Sequence, residues 1–256
     1  IELTQTTDGI LRSTGISNTF LNNYNVLHCL PTITSVTDDE QNTFMMLSND
    51  ATHEPCMLQM PDYTPEQKVD NSAYADQLAN GYVVDGRKLK MENERQVTHY
   101  QSNMAAMLQL GRWFDYLREN GVYDNTKIII VSDHGRNIRQ MDEAIYHLIN
   151  DEEFDSEYFR ALLMVKDFNA TGFTSSDEFM TQADTPTLAF GGLIDDPVNP
   201  FTGKVINNSE KTAHDQYIFE SHIWDVSENN GNVFRPGNWF ALRPGDSWDE
   251  SNWRLV

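Results

Sequence analysis

Apolar and polar positions alternate most legibly in the middle of the chain. Val97, Tyr100, Met104, Met107, Leu110, Phe114 and Leu117 recur at spacings of three and four, which predicts a long amphipathic helix. Asn120-Gly121 gives it a C-terminal stop, because glycine accepts the backbone conformation that closes a last turn. A short link, VYDNTK, leads to a run of β-formers, Ile128 to Val131, and so to a strand over 127–132. That strand runs directly into Ser132-Asp133-His134-Gly135. Residues 139–149 read as a helix and RALLMVKDF, 160–168, as a second buried strand. SSDEFMTQADTPTLAFGGL, 175–193, offers helix starts at Ser175 or Asp184, with Pro186 tolerated in a first turn.

Elsewhere the pattern is weaker. Residues 1–40 are Thr/Asn/Asp-rich and predict loops and short helices. NTFMMLSND, 42–50, predicts a strand entering a polar turn, and 51–67, with three prolines, predicts a surface loop. The stretch 66–93 suits an exposed connection, DDPVNPFTGK at 195–204 a proline-rich loop, and NWFALRP at 238–244 a last strand. Helix and strand in alternation predict an α/β fold, a layered sheet flanked by helices. No internal repeat or domain boundary is evident over 1–256.

Composition narrows the chemistry. The 256 residues suffice for one full-sized core, and 39% hydrophobic content with 11% aromatics is that of a globular protein. No apolar run approaches the roughly 18 residues of a membrane helix. A net charge of −21 repels nucleic-acid phosphates and anionic membranes. It leaves room for a small anionic substrate only where a metal or local cations reverse the field. Cys29 and Cys56, outside any CxxC pattern, are too few for a thiolate metal site; they are one disulfide or two inert thiols. The chain starts at Ile1 with no signal-peptide pattern, so it is expected to be a processed piece whose membrane anchor, if any, lies outside it.

In α/β sheets ligands gather beyond the carboxyl ends of strands, which directs attention to the end of 127–132. Asp133 offers carboxylate oxygens and His134 an imidazole nitrogen, a pair suited to Zn²⁺ or Mn²⁺ and less to Mg²⁺ or Ca²⁺. Gly135 permits a sharp turn or a close backbone approach. Taken alone, the same residues equally suit a helix cap at Asp133 and a packed His134.

YDNTKIIIVSDHG resembles the metal-binding strand end of the alkaline phosphatase and sulfatase superfamily. More narrowly it looks like the membrane-anchored, sulfatase-like branch that includes lipoteichoic acid synthases and phosphoglycerol transferases. The resemblance implies that Asp133 and His134 are metal ligands; Arg136 departs from that branch, which often has an aromatic or acidic residue nearby. TFMMLSNDATHEP is similar to the family segment in which a loop histidine touches substrate, which implies that role for His53. QADTPTLAFGGL resembles a helical segment of the superfamily, with a structural rather than catalytic Asp184. Together these matches cover most of 40–193.

The superfamily's reaction also needs a threonine, serine or modified cysteine nucleophile and an acidic ligand. No segment here matches that half of the family domain, and the sulfatase Cys-x-Pro-x-Arg pattern is absent. The resemblance therefore implies the C-terminal part of a longer enzyme, inactive as this piece. Its parent would be a phosphate- or sulfate-ester hydrolase or transferase at the extracytoplasmic face of a bacterial membrane. The substrate would be an anionic small molecule or a lipid-linked or glycan one, and not a nucleic acid. A non-catalytic relative kept as a binding or scaffolding module is the competing expectation. Glycan binding through Trp224, Trp239 and Trp248 is a third.

The remaining histidines read as packing or surface residues: His28, His99 and His147. His214 and His222, near Asp215 and Asp225, would join a metal site only if the tail folds back. Arg87, Lys88 and Lys90 read as a solvated basic cluster, and the glycosylation sequons at Asn169 and Asn207 are weak signals in an Asn-rich chain.

Overall fold

The N-terminal residues form a hairpin and a full helix rather than loops. A computed structural model describes residues 4–38, 41–149, 152–221 and 237–256. β1 (Thr6–Asp8) and β2 (Arg12–Thr14) pair antiparallel, and α1 (Asn18–Ile33) follows. Ser17 caps α1 by accepting the Phe20 N–H at 3.2 Å, and Phe20, Tyr24, Leu27 and Leu30 bury one helix face at spacings of three and four. Scattered apolar residues in an Asn-rich segment hid that stripe.

The chain folds as two compact units. The first contains Ile1–Thr126 and Ile138–Asp142; the second, Lys127–Asn137 and Glu143–Val256. In the first unit, β3 (Lys68–Asp70) extends the N-terminal hairpin, and α2 (Ala75–Asn80) leads into a hairpin of β4 (Tyr82–Val84) and β5 (Arg87–Leu89). The periodic segment forms α3 (Glu94–Glu119), capped by Asn93 and stopped at Asn120-Gly121 as its sequence implies. α3 lies against α1: Trp113 Nε1 donates to Thr34 Oγ1 at 3.0 Å and the Tyr116 hydroxyl to the Thr34 carbonyl at 2.8 Å.

Two expectations fail in this unit. Residues 42–48 form no strand or helix, and Phe44, Met45, Met46 and Leu47 are exposed. An apolar run becomes a strand only where a partner edge takes its backbone, and none does so among the described residues. The proline-rich 51–67 segment is not a surface loop, because Ala51, Cys56, Met57, Leu58, Met60 and Tyr63 are buried. Side chains replace a sheet partner for its backbone. Ser102 Oγ and Gln101 Oε1 on α3 accept the Cys56 and Leu58 N–H groups at 2.9 and 2.8 Å, and Asn71 Oδ1 accepts that of Met60 at 2.9 Å. These duties explain why Gln101 and Ser102 are buried on α3. Cys29 is exposed and Cys56 buried, and both are free thiols.

The second unit begins with β6 (Ile128–Val131), as expected. Residues 139–149 are not helical: a short 3₁₀ turn, Asp142–Ala144, precedes β7 (Ile145–Ile149), which pairs antiparallel with β8 (Glu152–Asp155). A short apolar run has no period of its own, and here the burial of Tyr146 against Phe154 settles the matter. β9 (Leu163–Lys166) pairs antiparallel with β6, from Ile128↔Lys166 to Val131↔Leu163. It is not buried, since Met164 and Val165 are exposed. α4 (Thr185–Phe190) carries Pro186 in its first turn.

The C-terminal part adds a three-stranded antiparallel sheet of β10 (Gln216–Glu220), β11 (Asn238–Leu242) and β12 (Trp253–Leu255). Tyr146, Phe154, Phe240, Leu242 and Trp253 form the core beneath it, with Phe154 and Phe240 ring centroids 4.4 Å apart. The architecture is mixed α/β, with several small sheets whose described pairings are all antiparallel. Among the described residues no helix is long and apolar enough to cross a membrane.

Candidate functional site

The turn after β6 is held by backbone on both sides. Ser132 exchanges two bonds with Leu162: its N–H donates to the Leu162 carbonyl at 3.1 Å, and its hydroxyl accepts the Leu162 N–H at 2.8 Å. The Gln182 side-chain amide donates to the carbonyls of Ser132, at 3.1 Å, and Asp133. The Gly135 N–H donates to the Tyr158 carbonyl at 2.9 Å. A β-carbon at position 135 would run into the Glu157 carbonyl and come within 2.7 Å of that of Arg160. Only glycine allows this approach, which is why the motif ends as it does.

Within that frame the two candidate ligands face each other. Asp133 Oδ1 accepts the His134 N–H at 2.9 Å, while Oδ2 lies 3.6 Å from His134 Nε2. His134 Nδ1 is 2.6 Å from the Gly135 carbonyl. A carbonyl only accepts, so Nδ1 carries a proton and donates it there, while Nε2 lies on the side of the carboxylate. The Asp133 side chain is 86% exposed and that of His134 34%, so the pair is open to solvent on one face. The Tyr158 ring packs on the imidazole with centroids 4.8 Å apart.

These donors fit a divalent cation. Bonds of about 2.0–2.2 Å to one ion join an oxygen and a nitrogen up to roughly 4 Å apart, and a histidine tied through Nδ1 to a carbonyl is the usual arrangement of a metal-binding imidazole. Among the described residues no group of three or more His, Cys, Asp or Glu is placed to hold an ion. The pair offers two donors, against the four that a structural zinc takes.

His53 lies in the first unit, on a turn after Asn49 and Asp50. The turn is anchored through Asn23 of α1: Asn49 Nδ2 donates to the Asn23 carbonyl at 3.0 Å and Asn23 Oδ1 accepts the Asp50 N–H at 3.3 Å. The imidazole itself is 62% exposed, with Nδ1 3.3 Å from Glu54 Oε1.

Other candidates have structural employment. His28 Nδ1 meets Gln109 Oε1 at 3.0 Å and an Arg112 guanidinium N–H at 2.8 Å, at the α1–α3 contact. Asp215 is paired with Arg254 at 2.9 Å, and His214 is exposed; His222, Asp225 and Trp224 lie outside the described residues. Asp184 is buried, accepts the Thr181 N–H at 2.7 Å and lies 3.6 Å from Lys211 Nζ. That is the structural role its sequence context implies. Lys90 of the basic cluster is bound to Asp142 at 2.6 Å. Trp248 lies under the Arg160 guanidinium at 3.7 Å, while Trp239 is 49% exposed beside Phe219. Sequence reasoning missed Ser132, Tyr158 and Gln182. Ser132 alone carried a signal, as the polar residue that ends β6.

The Sulfatase family model matches residues 18–188. A multifunctional alkaline phosphatase superfamily protein, PehA of Trinickia caryophylli, is 41% identical over 58 residues, which are 23% of this chain and 10% of that protein. The chain thus spans a small part of the length of that relative. No solved structure matches the chain.

Proposed function

The chain belongs to the Sulfatase family, and from that premise we propose that it carries part of the metal centre of a phosphate- or sulfate-ester hydrolase or transferase. The observation that carries this reading is the Asp133–His134 pair, with Nδ1 tied to the Gly135 carbonyl and Nε2 facing Oδ2 across 3.6 Å. Mn²⁺ and Zn²⁺ suit a carboxylate–imidazole pair best, with Mg²⁺ or Ca²⁺ as poorer occupants. When bound, the ion supplies positive charge that draws an anionic ester to a protein of net charge −21.

The chain's own residues do the rest. Asp133 brings a negative charge that neutralises part of the ion's. His134, donating Nδ1–H to the Gly135 carbonyl, turns its other ring nitrogen, Nε2, toward the place an ion would take. Gln182 and Ser132 keep the strand end from shifting as charge develops. His53 is the proposed contact to a phosphate or sulfate oxygen, donating a hydrogen bond or a proton to the leaving group. The nucleophile and remaining ligands come from outside these residues, so the piece alone turns over no ester. The parent is proposed to be membrane-anchored and to act on a small, lipid-linked or glycan-borne anionic ester at the bacterial cell surface, in the manner of the phosphoglycerol transferases.

The test is an ester assay on the longest natural chain that contains residues 1–256. A phosphodiester, a phosphomonoester and a sulfate ester are offered with Mn²⁺ or Zn²⁺, to wild type and Asp133→Ala. Metal-dependent turnover of one class, lost in the variant, supports the reading and names the group transferred. A folded chain that turns over none, with or without a glycan or glycerol acceptor, overturns it in favour of a binding module.

A further inference from the structure

We propose that Tyr158 is the positioning residue of the candidate centre: its ring and its carbonyl together hold the His134 imidazole in one orientation and one tautomer. The proposal rests on the reading of His134 as a metal donor for its purpose, though not for its geometry.

His134 follows a strand end and is a third exposed, so its ring has no deep pocket to fix it. Two contacts supply what burial does not. The Tyr158 ring lies over the imidazole at 4.8 Å and an interplanar angle of 35°. The Tyr158 carbonyl takes the Gly135 N–H at 2.9 Å, which anchors the residue whose own carbonyl, in the following peptide, receives His134 Nδ1–H at 2.6 Å. One residue therefore touches both the face of the ring and the glycine that carries the tautomer-selecting acceptor.

Tyr158 can do this only because its own turn, Ser156–Phe159, is rigid. Ser156 Oγ donates to the Ala144 carbonyl at 2.8 Å. Phe159 packs edge-on to Tyr158 at 5.3 Å and joins the aromatic core. Arg160 closes the turn from behind. It donates to Ser156 Oγ at 3.2 Å, to the Tyr146 hydroxyl at 2.7 Å, and to Ser247 Oγ and its carbonyl at 3.0 and 2.7 Å, with its guanidinium stacked on Trp248. Rigidity thus passes from the core through Arg160 and the turn to the imidazole, so little ring freedom remains to be lost when an ion binds.

The test begins without metal. In long-range ¹H–¹⁵N spectra of the ¹⁵N-histidine-labelled chain, His134 should show one tautomer, protonated at Nδ1, with ring protons shifted upfield by Tyr158. Tyr158→Phe should keep both signatures, since the ring rather than the hydroxyl makes the contact. Tyr158→Leu, which fills the space without a ring, and Tyr158→Ala should lose the upfield shift and average the tautomers, while signals of the Tyr146–Phe154–Trp253 core stay in place. Zn²⁺ affinity should then fall about 10- to 100-fold in the Leu and Ala variants and recover in Phe, the range seen when an outer partner of a metal-binding histidine is removed. A His134 tautomer that is unchanged in Tyr158→Leu overturns the proposal, whatever happens to the ring-current shift. Absence of Zn²⁺ binding by the wild type would instead overturn the metal reading, and the metal-free spectra would still decide the role of Tyr158.

Discussion

Two histidine-bearing turns differ in how much of the side chain the fold controls. At 50–54 the backbone is tied down through Asn49 and Asn23, yet the His53 imidazole is largely exposed beside Glu54. At 132–135 the ties reach the imidazole itself, through Gly135, Tyr158 and the Asp133 carboxylate. The contrast matches two kinds of work. A metal donor must be aimed before the ion arrives, because a small cation tolerates little error in its bonds. A residue that meets a substrate oxygen can adjust to it, and an exposed, mobile imidazole suits that task.

The largest effect expected from breaking this contrast is that of Asp133→Ala. Removing a donor should cost more than about 100-fold in metal affinity, beyond the roughly 10- to 100-fold typical of an outer partner. Gly135→Ala should be the most disruptive to stability, by about 1–3 kcal/mol in urea unfolding, because its β-carbon meets fixed backbone at Glu157 and Arg160. Gln182→Leu frees the carbonyls of Ser132 and Asp133 and should weaken metal binding about 10-fold with little change in the unfolding midpoint. His53→Ala should leave metal affinity and stability alone, and lower kcat/KM of the parent about 10-fold, as for one hydrogen bond to a charged group.

The smallest effect is a pH one, at the end of β3. Asp70 is held down to about 2, first by the Ser72 hydroxyl and N–H and then by Arg12. A depressed carboxyl stabilises the fold above its unfolded value, near 3.8, and that contribution disappears as pH falls through about 2. A ¹³C carboxyl titration should place it there in wild type and higher in Ser72→Ala.

How far the sequence foretold this depends on whether a feature is local. α3 was legible from its period and its glycine stop, and β6 from a run of isoleucines closed by polar residues. Asp133 and His134 were legible because their chemistry is consecutive in the chain. Tyr158 and Gln182 were not, because Tyr158 reaches the turn only after β7 and β8 and Gln182 only after β9, and neither residue type announces such a duty. The misread segments at 42–50 and 139–149 share one cause. A short apolar run takes its form from its neighbours: 145–149 found β8 and became a strand, while 42–48 found no edge among the described residues and stayed irregular.

The most direct test of the central claim is calorimetric titration of Mn²⁺ and Zn²⁺ into the longest natural chain that contains residues 1–256, in salt high enough to screen the −21 charge of these residues. One ion per chain at this centre, with affinity reduced more than about 100-fold in both Asp133→Ala and His134→Ala, is the result this account requires. Binding of equal strength in wild type and both variants would contradict it, as would no binding to the wild type at all.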